Sequence, residues 1–159
     1  MTRIEESVIV PLDTLEIWEL MRDLELRPDW DATIIRVTRR MAGPRVETAR
    51  LYYLAPLFMG LWWRWEGEYV SFLPPHRTSV RMDWGSHLRP FKSLVGTWLL
   101  QSHVRGNLVR IIVSFEPRLP LPLLDKIMAW RMRWLLVMSL VELGAIGKRN
   151  DARPRTGHK

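Results

Sequence analysis

Cysteine is absent from the 159 residues of this chain. Its absence excludes disulfide bonds, thiolate nucleophiles and cysteine-bound metals, and it fits the reducing environment of the cytoplasm. The chain also lacks a run of about 20 apolar residues, which a membrane-spanning helix would need. Because no secretory signal is visible near the N-terminus, we expect a cytoplasmic protein without transmembrane segments.

Motifs that mark metal, phosphate or nucleophile sites are missing as well. His76, His87 and His103 lie on separate segments, and no histidine pair has the spacing of two ligands on one helix face. We therefore expect no metal site. The sequence has no glycine-rich phosphate loop, nucleophile elbow or dinucleotide fingerprint, so no cofactor is predicted.

Tryptophan, in contrast, is abundant, with nine residues in the chain. Each indole buries a large area and needs a partner for its N–H, so nine of them suggest a pocket or interface lined with rings. The net charge is +7, but much of it lies in residues 148–159, which we interpret as a basic, disordered tail. Nucleic-acid binding is not expected, because the basic and aromatic residues at 130–134 continue a helix that must be buried.

The order of predicted elements indicates an α+β fold in a single domain over residues 1–147. An alternating pattern at 3–10 predicts a strand, after which Asp13 and Glu16 have the spacing of a capping box that opens a helix. This helix breaks at 27–29, and a further helical turn follows at 29–33. Alternation with short turns then predicts six strands of an antiparallel meander. These strands lie near 34–41, 47–55, 61–72, 77–84, 95–104 and 107–116.

The last predicted element is a helix at 123–147 that is apolar on nearly every side over 134–143. Such a helix is normally buried all round, yet one sheet covers only one of its sides. The other side must meet the first helix, a second copy, a membrane or a ligand inside a curved sheet. The basic tail would fit transient contact with an anionic bilayer. We favour a homodimer, because no Lys or Arg lies within 134–147 to anchor the helix among headgroups.

The opening segment resembles a known family. Trp18, Asp23, Pro28 and Trp30 match its "W…D…P-x-W" pattern, and residues 74–78 resemble one of its hairpin turns. The family is the polyketide cyclase/dehydrase and lipid-transport superfamily, also called START-like or SRPBCC. The resemblance implies the helix-grip fold, a curved antiparallel sheet of about seven strands wrapped around a long C-terminal helix. It leaves the activity open, since the family contains enzymes, carriers and receptors.

Alternation also predicts which side chains point into the domain. On the strand at 61–72, the aromatic residues share one face and charged residues occupy the other, so the aromatic face points inward. We predict a cavity between sheet and helix that binds an apolar polyketide, lipid or aromatic molecule. The predicted ligand-binding residues are Trp63, Trp65, Tyr69, Ser71, Met82, Trp84, Trp98, Leu100, Met128 and Trp134.

The alternative function is a polyketide cyclase, aromatase or dehydratase acting in the same cavity. Tyr53 and Tyr69 are the catalytic candidates, because an inward hydroxyl could polarise a carbonyl or move a proton. On the strand at 95–104 the inward polar residue is Ser102 or, in the opposite phase, Gln101 and His103. The hydroxyls could equally serve only as hydrogen-bond donors to a ligand or the backbone.

The resemblance also implies a polar residue, often Arg, on the strand at 66–72 of the aromatase/cyclase branch. Ser71 stands near that position here, so the cyclisation Arg is missing. This departure weakens the enzyme interpretation and leaves the pocket interpretation intact.

Overall fold

The computed structural model describes residues 1–41, 43–56, 60–85, 91–119 and 121–151, without the side chains of 83–85, 150 and 151. In this part of the chain, seven antiparallel strands form one sheet in the order β1-β7-β6-β5-β4-β3-β2. The helices are α1 (Thr14–Arg22), α2 (Arg27–Trp30) and α3 (Pro122–Asp151). The strands are β1 (Thr2–Val10), β2 (Arg36–Arg40), β3 (Arg50–Pro56), β4 (Trp62–Leu73), β5 (Arg77–Gly85), β6 (Phe91–His103) and β7 (Gly106–Pro117).

The sheet is a meander with one added strand. Strands β2 to β7 each pair with their neighbours in sequence, and β1 pairs with β7 along its whole length. Helix α3 lies against β1 and β7 on one side of the sheet, and α2 contacts α3. The predicted α+β helix-grip fold, a curved antiparallel sheet with a long C-terminal helix, is confirmed.

Local signals set the start of α1. The Asp13 carboxylate accepts a hydrogen bond from the Glu16 backbone N–H at 2.8 Å, and the Glu16 carboxylate accepts one from the Asp13 N–H at 3.1 Å. The predicted capping box is therefore present. The break comes earlier than predicted, because α1 ends at Arg22 and Pro28 lies in the first turn of α2. Proline fits there, since a first-turn N–H has no partner within the helix.

Some strand boundaries differ from the prediction. Strand β6 begins at Phe91 rather than near 95, because its first residues pair with the end of β7. A short 3-10 helix, Val46–Thr48, occupies the start of the segment predicted as the third strand. Where a strand begins depends on which distant segment it pairs with, and the alternation of residues along one strand does not predict that pairing.

Helix α3 buries one face and exposes the other. The inner face contains the buried residues Met128, Leu135, Leu136, Ser139, Leu140 and Leu143. The outer face exposes Leu123, Ile127, Trp130, Trp134, Val137 and Val141. The sheet and α2 cover only the inner face of α3 within the described residues, so the outer face is the side for which the sequence analysis expected a further partner.

The end of α3 lies beyond the predicted domain boundary at 147. The helix continues to Asp151, with Lys148 and Arg149 in its last turn, where cations interact favourably with the helix dipole. The first residues of the expected disordered tail are therefore helical, and residues 152–159 lie outside the described part of the chain.

Candidate functional site

A cavity of about 140 Å³ lies between the concave face of the sheet and the inner face of α3. Its wall is mostly apolar and aromatic, with contributions from all three helices and from strands β3 to β7. A dry cavity of about 150 Å³ is large enough to bind benzene. The cavity is therefore large enough for a small aromatic group without rearrangement of the wall.

Five of the ten predicted ligand-binding residues lie on this wall: Trp63, Trp65, Tyr69, Trp98 and Met128. The catalytic candidate Tyr53 lies there as well. The tryptophan and tyrosine residues of this set on β4 and β6 point inward because side chains alternate between the two faces of a strand, as predicted.

The other predicted ligand-binding residues lie off the wall. Met82 and Leu100 are buried, but they fill the core beside the cavity. Ser71 follows a β-bulge between Tyr69 and Ser71. The bulge shifts the side-chain alternation, and Phe72 instead packs against α1 through Trp18, with ring centroids 5.7 Å apart.

Trp134 lies on the exposed outer face of α3, because its position in the 3.6-residue helical repeat is opposite the inner face. The side chain of Trp84 lies outside the described residues. On β6, Ser102, Gln101 and His103 are all exposed, so neither predicted phase places a polar side chain inward there.

The structure brings a buried ion pair to the wall that the sequence analysis missed. Arg27 Nε donates to Asp31 Oδ2 at 3.1 Å, and the two side chains are 12% and 1% exposed. The i, i+4 spacing of opposite charges could have indicated this pair. Asp31 Oδ1 also accepts bonds from the Thr33 N–H at 3.1 Å, the Thr33 hydroxyl at 2.5 Å and the Ser139 hydroxyl at 3.3 Å.

Charge and burial shift the pKa values of the polar wall residues. Burial alone would lower the pKa of Arg27, but the charge and hydrogen bond of Asp31 outweigh it and raise this pKa above its ordinary value. Burial raises the pKa of Tyr53 and of Tyr69, and the Arg27 charge offsets this only in part. Near neutral pH, Arg27 is therefore charged, and the hydroxyls of Tyr53 and Tyr69 are uncharged.

One ring stack and one cation–π contact shape the polar end of the cavity, which contains Arg27 and Tyr53. Tyr53 and Trp65 stack with centroids 3.9 Å apart and planes within 9°. Gly67 lies beside this pair, where a Cβ would come within 3.0 Å of the Trp65 ring. The Arg27 guanidinium lies 5.6 Å from the Trp30 ring centroid and 5.7 Å from that of Trp98, so cation–π attraction helps to hold it.

Three buried polar atoms in or near the cavity wall have no hydrogen-bond partner among the described residues. Trp65 Nε1, Thr78 Oγ1 and Trp30 Nε1 are buried without a hydrogen bond, and the first two residues line the wall. The described residues contain no group of three His, Asp or Glu side chains that could hold a metal ion. None of the helices in the described ranges has both the length and the hydropathy of a membrane span.

Solved structures of low sequence identity share this fold. The Zhui aromatase/cyclase from Streptomyces sp. R1128 superposes with a TM-score of 0.80 at 13% identity, covering 99% of each chain. A START superfamily protein from Mycobacterium smegmatis gives a TM-score of 0.74 at 15% identity, covering 93% of this chain and 98% of the other. TTHA0849 from Thermus thermophilus gives 0.77 at 18% identity, covering 95% and 100%.

The family relationship follows from the sequence itself. No curated protein matches the chain by sequence. The sequence model of the family described as polyketide cyclase/dehydrase and lipid transport matches residues 1–145, which include the whole sheet and most of α3. The chain therefore belongs to the polyketide cyclase/dehydrase and lipid-transport family.

Proposed function

We propose that this protein binds an apolar small molecule in the cavity between the sheet and α3. The observation that carries the proposal is the unfilled apolar volume of about 140 Å³. At about 24 cal/mol per Å³, an empty cavity of that size costs at most about 3 kcal/mol of folding free energy, because this cavity is partly open to solvent. Gly96 lines this space, and a Cβ added there would meet no atom within 4 Å. A larger side chain at this one position could occupy the space, yet it is left open.

The wall favours a flat or elongated ligand. The rings of Trp63, Trp65 and Tyr53 line the cavity, and an aromatic or conjugated body can contact them in an edge-to-face or offset arrangement. On the opposite side, Met128 and Met132 contribute unbranched, flexible side chains, which can repack around ligands of different length. A molecule larger than benzene therefore requires movement of methionine side chains rather than of the sheet.

Intrinsic tryptophan fluorescence tests the proposal with a graded panel of naphthalene, anthracene and medium-chain alkanes. Naphthalene is expected to quench the protein, and Trp63→Phe is expected to reduce that signal. Trp62→Phe is the matched control, because Trp62 is the adjacent residue on β4 and is exposed on the other face. A panel that leaves the fluorescence unchanged in every variant would contradict ligand binding in this cavity.

A second candidate function is catalysis of cyclisation or dehydration on a polyketide-like substrate in the same cavity. The observation that favours it is the pair of uncharged hydroxyls of Tyr53 and Tyr69 on an otherwise apolar wall. Neutral hydroxyl donors can polarise a carbonyl, and the enclosed volume would restrict the conformations of a reactive chain. Tyr53→Phe and Tyr69→Phe should then change the product profile of polyketide intermediates. An unchanged profile would remove both hydroxyls from the mechanism.

The outer face of α3 supports self-association. Its exposed residues recur at alternating intervals of four and three, which is the repeat of a coiled-coil seam. They are Leu123, Ile127, Trp130, Trp134, Val137 and Val141. We propose that two copies of the chain pack the outer faces of their α3 helices together, which would cover the apolar surface that the sheet leaves exposed.

Sedimentation velocity tests this pairing. The wild type is expected to sediment as a dimer, and Trp134→Glu as a monomer. Val104→Glu is the control, because Val104 is equally apolar and 96% exposed but lies at the β6–β7 turn. The other outcome is a monomer that floats with anionic liposomes at low salt and stops floating when the chain is truncated after Gly147. That result would indicate that the outer face of α3 contacts a membrane instead.

A further inference from the structure

We propose that the ligand carries one head group with two negatively charged acceptor oxygens, which binds Arg27 at the polar end of the cavity. A carboxylate and the enolate of a β-diketone share this chemistry. The inference rests on the proposed ligand-binding function and adds to it a chemical class, namely an apolar acid whose body lies against the aromatic wall.

Arg27 has more hydrogen-bond donors than the protein uses. Its Nε–H bonds to Asp31, and Nη1 donates to the Met21 carbonyl at 3.3 Å. A guanidinium has five N–H groups, so three remain without a partner among the described residues. The side chain is only 12% exposed, and a buried charged donor without an acceptor is unfavourable. The free edge of Arg27 therefore needs acceptor oxygens that the described residues do not supply.

Asp31 does not satisfy that free edge. Its two carboxylate oxygens already accept bonds from Arg27, from the backbone and hydroxyl of Thr33, and from the hydroxyl of Ser139 on α3. Ser139 is itself held, because its oxygen accepts a bond from the Ala32 N–H at 2.9 Å. Asp31 is thus a positioning residue that holds the guanidinium at the wall, and the second N–H of Nη1 and both N–H groups of Nη2 are left for a bidentate contact.

The surrounding groups also favour an anion over a cation. The hydroxyls of Tyr53 and Tyr69 form no hydrogen bond with the described residues, and both lie close enough to Arg27 for its charge to affect their pKa values. Among the residues that line the cavity, Arg22, Arg27 and Arg131 are basic and Asp31 alone is acidic. This excess of positive charge and unused donors would bind acceptor oxygens and repel an ammonium group.

Matched probes with one naphthalene body test the head group. Naphthalene, 2-naphthoate and 2-naphthylmethylamine are titrated at pH 7.5 with tryptophan fluorescence as the readout. The diketone 1-(2-naphthyl)butane-1,3-dione is titrated at pH 9.5, where it is largely the enolate, with naphthalene as the reference at both pH values. We expect 2-naphthoate or the diketone enolate to bind at least tenfold more tightly than naphthalene, and the amine more weakly. Whichever of the two acidic probes binds more tightly identifies the source of the oxygens.

Variants separate the role of Arg27 from general effects on the cavity. Arg27→Gln should abolish the preference for the acidic probe while naphthalene still binds. Arg36→Gln is the control, because Arg36 is exposed on β2 and lies off the cavity wall. If Arg27→Gln does not fold because Asp31 is left unpaired, the double variant Arg27→Gln/Asp31→Asn removes both charges and makes the same test.

Equal affinity for naphthalene and both acidic probes in the wild type would overturn the inference. An acid preference that survives in the Arg27 variants, or a preference for the amine, would overturn it as well. In each of these outcomes naphthalene still binds, so the proposed cavity function stands. Failure of every probe, naphthalene included, would contradict the cavity function together with this inference.

Discussion

The open space beside Gly96 gives a direct test of whether the cavity is the binding site. Gly96 lies on β6 between the buried residues Leu94 and Trp98 and pairs with Val80 and Val113. Gly96→Val would place three carbon atoms in the cavity, which stabilises the fold by about 2 kcal/mol at about 0.8 kcal/mol per carbon. Removing a glycine from a strand interior adds about 0.5–1 kcal/mol.

The expected result is a variant that is more stable and binds poorly. A gain of about 2–3 kcal/mol corresponds to a rise in Tm of roughly 5–10 °C for a domain of this size. A ligand excluded from the volume of three carbons loses about 2 kcal/mol, which is roughly a 30-fold weaker Kd. Chemical denaturation measures the first effect, and naphthalene titration measures the second.

Gly67→Ala is the matched control, since Gly67 lies on β4 in the inward phase but has no free space beside it. A Cβ there would come within 2.7 Å of Val80 Cγ1, so the substitution should destabilise the fold by about 1–3 kcal/mol. If Gly96→Val lowers the stability, or binds naphthalene as the wild type does, the assignment of the ligand to this cavity is refuted.

Three further substitutions test the local interactions. Burial raises the pKa of Tyr53 above its ordinary value of 10.0. The free energy of unfolding is therefore unaffected by this group below pH 10 and falls as the pH rises further, because the unfolded state loses the proton first. Tyr53→Phe should reduce this fall by up to about 1.4 kcal/mol per pH unit, measured by denaturation at a series of pH values. Asp13→Ala removes the cap of α1 and should lower the free energy of unfolding by about 1 kcal/mol, whereas Asp13→Asn should retain most of it. Ser139→Ala leaves the Ala32 N–H without its partner and should cost about 1–3 kcal/mol; a neutral result in urea denaturation would contradict the role of Ser139 in joining α2 to α3.

The interactions predicted correctly depend on short-range geometry. The capping box of Asp13 and Glu16 needs only three residues of spacing. The inward positions of Trp63 and Trp65 follow from the alternation of side chains along one strand. Both predictions hold because neighbours within a single element determine these features.

The incorrect or missed residues depend on contacts between elements. A bulge set by the pairing of β4 with β5 shifts the alternation beyond Tyr69, so Ser71 lies off the wall. The rotation of α3 about its axis is determined by packing against the sheet, and it places Trp134 outside. Arg27 reaches the cavity because α2 packs against α3, where Ser139 hydrogen-bonds to Asp31 and Ala32.

By itself, the sequence determined the element order, the start of α1, the inward face of β4 and the family resemblance, because each depends on residues close together in the chain. The tertiary structure alone decided the size of the cavity, which residues line it, the ion pair on its wall and which face of α3 is exposed. Cavity volume is the difference between the space that the sheet and helices enclose and the side chains that fill it. That difference depends on the positions of all the elements together, and no local pattern encodes it.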